Sequence, residues 1–426
     1  MTRTRRLVLA SAAMLTIGGA VGYAKGPTPT ANAVHGFSLS RLANLEAYIK
    51  SDIDKGLYPG ATITVVKGSH VVYQKFLGVR DTATKQPMTA DTIFRIYSMT
   101  KPITTVAAMM LVEEGRLALE DPVAKHLPEF KDVKVGIEKP DANGKPSLDL
   151  VAPRRPMSVH DLMRHTSGIT YGFFGEGLVK KAYVEANLGA GDPTTAEFVK
   201  RLAALPLVYQ PGSTWDYSQS TDVLGRVIEV VSGQSLFEFL KVRLLDPLDM
   251  KDTAFYVPEK EKHARIAEPL PTDRGIGAGA EVNDPRQVRK YESGGGGLVS
   301  TTADYQRFLQ MLLNGGTLDG KRYLSPKTVA AMSANHIGTT TGVQPGPYYL
   351  PGPGYGFGLG FAVRTEAGAS GATSSVGEYY WGGAAGTAFW VDPKENLFVL
   401  YMMQSPSQRT RFRAALRNMV YGAFEP

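Results

Sequence analysis

Cysteine is absent from the 426 residues of this chain, which excludes disulfides, thiolate metal sites and a cysteine nucleophile. Only seven histidines occur, and none has the spacing of metal ligands. The chain also lacks a lysine-arginine block and a basic segment interleaved with aromatic residues, which argues against nucleic-acid binding. Any covalent chemistry must therefore use Ser, Thr, Lys, Tyr or a carboxylate. The sequence indicates neither a metal nor an organic cofactor.

The N-terminal segment is typical of a secretory signal peptide. Arg3, Arg5 and Arg6 precede an apolar stretch from residue 7 to about 23, and the small-x-small sequence Ala-Asn-Ala ends at residue 33. Glycines within the stretch favour a cleaved signal over a retained membrane anchor. Residues 1–33 hold four basic and no acidic residues, so their removal lowers the formal net charge from +7 to +3. We expect a secreted or periplasmic bacterial protein without a membrane span in its mature form.

The order of the periodic segments predicts one β-sheet interrupted by helices. Alternating, strand-like patterns occupy residues 61–67, 71–79, 356–364, 378–381, 385–391 and 397–403, and the first two form a hairpin. Helical patterns occupy residues 40–56, 98–115, 158–164, 195–205, 222–232, 236–244, 302–313 and 408–421. We therefore expect an α/β chain of the α+β type. Its antiparallel sheet, from residues 37–97 and 350–426, carries a mainly helical insertion of about 98–349, with the functional cleft between the two.

Ser98 and Lys101 stand three residues apart at the start of one of these helical patterns. Because Pro102 is tolerated only in a first helical turn, the helix should begin within a residue or two of Ser98. The spacing brings the lysine to the side of the hydroxyl, and the positive end of the helix favours developing negative charge. The pattern predicts a nucleophile and its base, although a Ser-x-x-Lys sequence also arises about once by chance in such a chain.

Five sequence blocks together resemble the serine hydrolases of the class C β-lactamase and penicillin-binding-protein superfamily, most of all its family VIII carboxylesterases. The blocks are FRIYSMTK (94–101), LMRHTSG (162–168), YSQ (217–219), GGGLVST (295–301) and WGGAAGT (381–387). They follow one another in the family's order and cover nearly all of the chain after residue 33. The resemblance implies a β-lactamase/transpeptidase-like fold.

The same resemblance implies a role for each block. Ser98 is expected to be acylated, and Lys101 and Tyr217 to share the removal of its proton. The N–H groups of Ser98 and Ala384 are the expected oxyanion hole. The expected substrate-binding residues are Tyr97, Gln219, Trp381, Gly382 and Gly383. Two features stay open: His165 is either structural or a base, and residues 348–355 either line an acyl pocket or form a rigid surface loop.

Two departures from the lactamase pattern favour an ester substrate. Gln219 stands where lactamases usually have Asn, and Trp381 stands where they have the Lys that faces a substrate carboxylate. Trp381 thus favours a neutral ester or an aromatic acyl group. We expect a hydrolase of small-molecule carboxylic esters with short to medium acyl chains, with at most weak β-lactamase activity. The alternatives are a β-lactamase, a D-amino-acid peptidase, or a catalytically silent ligand-binding member; the sequence does not predict the oligomeric state.

Overall fold

The computed structural model of the protein describes residues 33–277, 279–410 and 412–425. The predicted signal peptide, residues 1–33, lies outside the described residues except for Ala33. Across these ranges no helix is both long and apolar enough to cross a membrane. The α-helices are α1 (Leu39–Asp54), α2 (Thr100–Glu113), α3 (Val123–His126), α4 (Val159–Met163), α5 (Leu178–Glu185), α6 (Thr195–Ala203), α7 (Ser220–Ser232), α8 (Leu236–Leu240), α9 (Thr302–Leu313), α10 (Pro326–Met332) and α11 (Phe412–Tyr421).

A seven-stranded antiparallel sheet is built from both ends of the chain. From one edge to the other its strands are Tyr355–Phe357, Ala362–Arg364, Tyr379–Gly382, Ala388–Asp392, Leu397–Met403, Gly60–Lys67 and His70–Gly78. The last two form the predicted hairpin. The strand Gly60–Lys67 therefore joins the N-terminal hairpin to the C-terminal strands, with Lys67 paired to Leu397.

Short pairs of strands and tight helices complete the chain between the main elements. The strand pairs are Ala33–Val34 with Phe37–Ser38, Ile93–Arg95 with Val299–Thr301, Val135–Pro140 with Pro146–Val151, Thr214–Trp215 with Gln344–Pro345, Gly275–Gly277 with Ala280–Glu281, and Thr317–Leu318 with Lys321–Arg322. The 3₁₀-helices are Tyr97–Met99, Pro128–Phe130 and Lys260–Arg265, and Lys241–Leu245 is a π-helix.

Helices cover both faces of the sheet. Neighbouring residues of a strand point to opposite faces. Met402 accepts a hydrogen bond from Thr302 of α9, whereas Tyr401 lies beside Tyr48 and Asp52 of α1. Therefore α9 covers one face and α1, which packs against α11, covers the other.

Helix α2 is buried all round, between the sheet region and the remaining helices. Every residue from 100 to 111 is buried, and α2 packs against both α7 and α8. On a helix buried in this way, polar side chains cannot form hydrogen bonds to water. Thr100, Thr104 and Lys101 bond to partners inside the protein, and the partners of Lys101 define the site described below.

One predicted strand is wrong in extent. Residues 356–364 divide into two antiparallel strands, with Gly356 paired to Val363. The turn between them has Gly360 at φ 95°, a left-handed conformation that glycine adopts without strain, and Gly358 N–H donates to the Phe361 carbonyl over 2.9 Å. The last helix begins at Phe412 instead of residue 408.

Candidate active site

Ser98 lies in the 3₁₀ turn Tyr97–Met99, directly ahead of α2. Two hydrogen bonds fix this turn against Leu298, the residue before the strand Val299–Thr301. Ile96 N–H donates to the Leu298 carbonyl over 3.1 Å, and Leu298 N–H donates to the side-chain oxygen Oγ1 of Thr100 over 3.1 Å. Tyr97, next to the serine, adopts a left-handed φ of 42°. Such a conformation is costly for a non-glycine residue and persists only where the surroundings hold it. The serine is thus presented on a constrained turn.

Lys101 is fully buried, and its amine reaches three oxygen atoms. Its Nζ lies 2.6 Å from the Gly295 carbonyl oxygen, 3.2 Å from the Tyr171 hydroxyl and 3.4 Å from Ser98 Oγ. Burial, with a smaller effect from the Asp222 carboxylate, raises the pKa of Tyr171 well above its usual value. Tyr171 is therefore a neutral phenol at ordinary pH, and the lysine is held from two sides while it faces the serine.

Tyr217 is adjacent to this lysine through its ring. The Lys101 amine lies 4.6 Å from the centroid of the Tyr217 ring, and the Tyr217 hydroxyl accepts a hydrogen bond from Trp381 Nε1 over 3.2 Å. Trp215 is stacked with Tyr217, with the ring centroids 6.0 Å apart and an angle of 13° between the ring planes. The structure therefore brings together Ser98, Lys101 and Tyr217, but the phenol that hydrogen-bonds the lysine is Tyr171.

The strand that ends at Gly382 brings its backbone close to the serine turn. A side chain at Gly383 would collide with the Ile96 carbonyl and with Thr387 Oγ1, so only glycine fits there. Gly383 N–H donates to the Thr387 carbonyl over 2.7 Å, and Thr387 Oγ1 donates to Ile96 O over 3.3 Å. In the described part of the chain, the Ala384 N–H donates to no backbone oxygen. It therefore has capacity for another acceptor.

Two expected substrate-binding residues have contrasting surroundings. Gln219 precedes α7, and its side-chain oxygen is buried without a hydrogen-bond partner among the described residues. Tyr97 instead donates its hydroxyl to Asn283 Oδ1 over 2.8 Å and accepts the Asn283 N–H over 3.0 Å. The Gln219 oxygen is thus enclosed by protein, whereas the hydrogen bonds of Tyr97 connect the serine turn to the segment around Asn283.

His165 lies under Tyr217, with ring centroids 4.8 Å apart. Burial, and to a lesser degree Lys101, holds the pKa of His165 well below its usual value. Its Nδ1 lies 3.0 Å from Ser218 Oγ, while Nε2 has no partner among the described residues. A neutral imidazole whose contact is with Ser218, and not with Ser98, is consistent with a structural role beneath Tyr217. Nor does any group of three His, Asp or Glu in the described ranges form a metal-ligand set.

Aromatic side chains continue outward from Tyr217. The Phe174 ring lies 5.9 Å from that of Tyr217, and half-exposed Phe173 is 4.7 Å from Phe174 and 5.0 Å from Tyr171. Tyr348 packs directly on Gly175. Tyr348, the first residue of the segment 348–355, therefore contacts the loop that carries Phe173 and Phe174. Together these side chains form an apolar margin of the site.

Sequence reasoning missed two groups that hold Lys101. Tyr171 lies three residues after the block 162–168, so extending that block would have included it. Gly295 belongs to the glycine-rich block 295–301, but it contacts Lys101 through its backbone carbonyl. A carbonyl is present at every residue, so no residue type marks it.

The fold, with its serine and buried lysine where sheet and helices meet, defines the class of serine hydrolases with the β-lactamase fold. The sequence profile of the Beta-lactamase family matches residues 45–423, and the chain therefore belongs to that family. Both the resemblance found in the five blocks and the expected fold class are confirmed.

Several known proteins are similar over most of their length. Protein Rv1367c of Mycobacterium tuberculosis is 38% identical over 368 residues, covering 84% of this chain and 89% of that protein. Esterase EstB of Burkholderia gladioli is 32% identical over 414 residues, covering 92% and 98% respectively. The structure of EstCE1, a hydrolase with promiscuous acyltransferase activity, superposes with a TM-score of 0.75 at 27% identity. That match covers 90% of this chain and 99% of EstCE1.

Proposed function

We propose that the protein is a carboxylesterase that transfers the acyl group of an ester to Ser98 and then to water. The observation that carries this proposal is the set of contacts made by Lys101, which lies 3.4 Å from Ser98 Oγ and is held by two other oxygens. The similarity to EstB, an esterase by name, supports the same reaction class.

To act as a base Lys101 has to be a neutral amine, which has two N–H donors and one lone pair, and its three contacts match these three positions. The Gly295 carbonyl can only accept, so it takes one N–H. The neutral Tyr171 hydroxyl takes the second. The lone pair is then left for the hydroxyl proton of Ser98, which is the geometry a general base needs.

Acylation follows from this arrangement. Ser98 Oγ attacks the ester carbonyl carbon while its proton passes to the pair formed by Lys101 and Tyr217, and the carbonyl oxygen becomes an oxyanion facing the N–H groups of Ser98 and Ala384. Loss of one such donor typically costs about 3 kcal/mol of transition-state stabilisation. The intermediate collapses, the C–O bond to the alcohol breaks, and the alcohol leaves with the proton returned by Lys101 or Tyr217.

Deacylation repeats these steps with water as the nucleophile. Water gives a proton to the same basic pair as its oxygen bonds to the acyl carbon, and the bond to Ser98 Oγ breaks. Ser98 regains the proton, and the acid is released. Lys101 and Tyr217 are in contact, so the pair shares this proton transfer and neither is assigned the whole of it.

The surroundings of the serine favour an uncharged, apolar substrate. Trp381 donates a hydrogen bond to the Tyr217 hydroxyl. It stands at the position where lactamases have the lysine that faces a substrate carboxylate. Phe173 and Phe174 extend the apolar surface outward. Esters of short to medium acyl chains, or with an aromatic group, match these contacts.

The test compares hydrolysis of p-nitrophenyl butyrate with that of a chromogenic cephalosporin, in the wild type and in Ser98→Ala. We expect the wild type to cleave the butyrate readily and the cephalosporin barely, and Ser98→Ala to cleave neither. Ser69→Ala, at an exposed turn residue, is the matched control and should retain full activity. Faster turnover of the cephalosporin would assign a β-lactamase instead. Undiminished activity of Ser98→Ala would remove Ser98 as the nucleophile.

A further inference from the structure

We infer that Asp222 is a positioning residue for Lys101 and that it acts through the glycine-rich loop 293–297. Asp222 lies in the first turn of α7, only 2% exposed. One of its oxygens, Oδ1, accepts three hydrogen bonds: from Tyr291 OH at 2.7 Å, from Ser293 Oγ at 2.5 Å and from Gly295 N at 3.1 Å. This carboxylate therefore organises the loop.

Gly295 connects the carboxylate to the lysine. Its N–H donates to Asp222, and its own carbonyl accepts from Lys101 Nζ over 2.6 Å. A side chain at Gly295 would collide with Asp222 Oδ2, so the close approach requires glycine. The loop is also bonded to α2, because Thr104 Oγ1 donates a hydrogen bond to the Gly294 carbonyl over 2.8 Å. The carbonyl that orients the lysine is thus fixed from α7 and α2 together.

Charge gives Asp222 a second influence on Lys101. Its three hydrogen-bond donors are all neutral, and in the described ranges no lysine, arginine or histidine forms an ion pair with it. Gly295 bonds to both groups, and a buried carboxylate attracts a positive charge that forms on such a neighbouring amine. The other titratable groups that face the lysine are Tyr171 and Tyr217, with His165 beneath them.

The inference rests on the proposed role of Lys101 as a base, and its test uses a readout that does not require ester turnover. A fluorophosphonate probe reacts with an activated serine, so its rate of reaction with Ser98 can be followed against pH. In Asp222→Asn the side-chain oxygen remains but the charge is lost. We expect labelling to slow about tenfold and the acidic limb of the profile to move to lower pH, because the ammonium loses its stabilising charge.

Ser293→Ala provides the opposite perturbation. It removes one donor from Asp222 and leaves the carboxylate charge less compensated, so the acidic limb should move to higher pH. Tyr291→Phe removes another donor and should move it in the same direction. Asp54→Asn, an exposed residue of α1, is the control and should leave both rate and profile unchanged. Shifts of opposite sign are not expected from loosened packing.

Two results would show that Asp222 has only a structural role. In the first, Asp222→Asn is labelled more slowly but the acidic limb of its pH profile does not move. In the second, the acidic limb moves in the same direction in Asp222→Asn, Ser293→Ala and Tyr291→Phe. If Asp222→Asn does not fold, as judged by circular dichroism, Ser293→Ala and Tyr291→Phe still decide the question. Unmoved limbs in both would then overturn the inference. A wild type that takes the probe but cleaves no ester would contradict the proposed esterase activity and leave the role of Asp222 standing.

Discussion

Tyr171 holds Lys101 through a single hydroxyl group, which can be removed without changing the shape of the ring. In Tyr171→Phe the amine loses one of its two fixed acceptors, and its lone pair is no longer confined to the side of Ser98. A buried hydrogen bond to such a group is worth about 1–3 kcal/mol. We therefore expect kcat/KM for p-nitrophenyl butyrate to fall about 10- to 100-fold.

Tyr379→Phe is the control for this change. Tyr379 is fully buried, whereas Tyr171 is partly buried, and the Tyr379 hydroxyl has no hydrogen-bond partner among the described residues. Its removal should leave kcat/KM unchanged. If the two variants were equally active, the bond between Tyr171 and Lys101 would have no part in catalysis.

Single residues show how far the sequence predicts the site. Ser98 and Lys101 were predicted because three residues of helix bring two side chains to one side. The contact between Lys101 and Tyr171 joins residues 70 positions apart, and nothing local encodes it. The contact with Gly295 joins residues 194 positions apart. Such contacts depend on how α2 and the loops pack, which spacing along the chain does not report.

Helix α5 is tied to the segment around Tyr217 by a buried ion pair. Lys180 Nζ lies 3.3 Å from Asp216 Oδ1 and also donates to the Phe174 carbonyl, and both side chains are at most 5% exposed. Removing one member of such a pair leaves an uncompensated charge inside the protein. We expect Lys180→Met to lower the free energy of unfolding by about 3–5 kcal/mol, as measured by urea titration.

The neighbouring Lys181 gives the matched control. Its side chain is 69% exposed and pairs with Glu185 on the same helix. An exposed pair contributes little, so Lys181→Met should change the unfolding free energy by less than about 0.5 kcal/mol. An equal loss in both variants would mean that α5 responds to any loss of charge rather than to the buried pair.

Helix α4 is joined to the segment after α10 by two histidines. His160 Nε2 lies 3.0 Å from His336 Nδ1, and His336 Nε2 contacts the Ala331 carbonyl. Burial, with smaller effects from Arg164 and His336, lowers the pKa of His160 to about 4. The unfolded chain therefore binds this proton more readily than the folded one, so stability should decrease as the pH falls from about 6.5 to about 4.

Urea midpoints at pH 7 and pH 5 measure this loss. We expect the midpoint of the wild type to fall at pH 5, and that of His160→Gln to fall less because one source of the pH dependence is gone. His70→Gln, at an exposed hairpin residue, should behave like the wild type. An equal fall in the wild type and His160→Gln would remove His160 as a source of the acid sensitivity.

The elements were predicted best where one pattern ran without interruption. The helix α2 and the hairpin Gly60–Lys67 with His70–Gly78 follow from apolar periodicity, which depends only on neighbouring residues. The sequence predicts one strand over residues 356–364, because the apolar residues on both sides of Gly358 and Gly360 continue the same pattern. The structure has a turn at these two glycines and two strands. Whether a glycine bends the chain depends on its φ angle, and the sequence does not state that angle.

A continuous hydrophobic cluster runs through the sheet and the helical insertion alike. It includes Trp390 in the sheet and Trp215 among the helices, both fully buried. We therefore expect the two regions to unfold together, with urea curves from circular dichroism and tryptophan fluorescence that coincide. Trp215→Phe leaves fluorescence from the sheet, since Trp381 and Trp390 both lie in it, and its midpoint should still match that from circular dichroism. A separate, later fluorescence transition in this variant would mean that the sheet unfolds independently.

The strand Gly60–Lys67 has consequences for how the molecule is made. One of its neighbours, His70–Gly78, leaves the ribosome almost at once, but the other, Leu397–Met403, is about 330 residues later in the chain. Until those last strands are synthesised, one edge of the hairpin has no partner and can pair with other chains. The sheet can therefore be completed only near the end of translation. A chaperone that binds the unpaired edge of the hairpin during translation should raise the yield of native protein more than one that acts after the chain has left the ribosome.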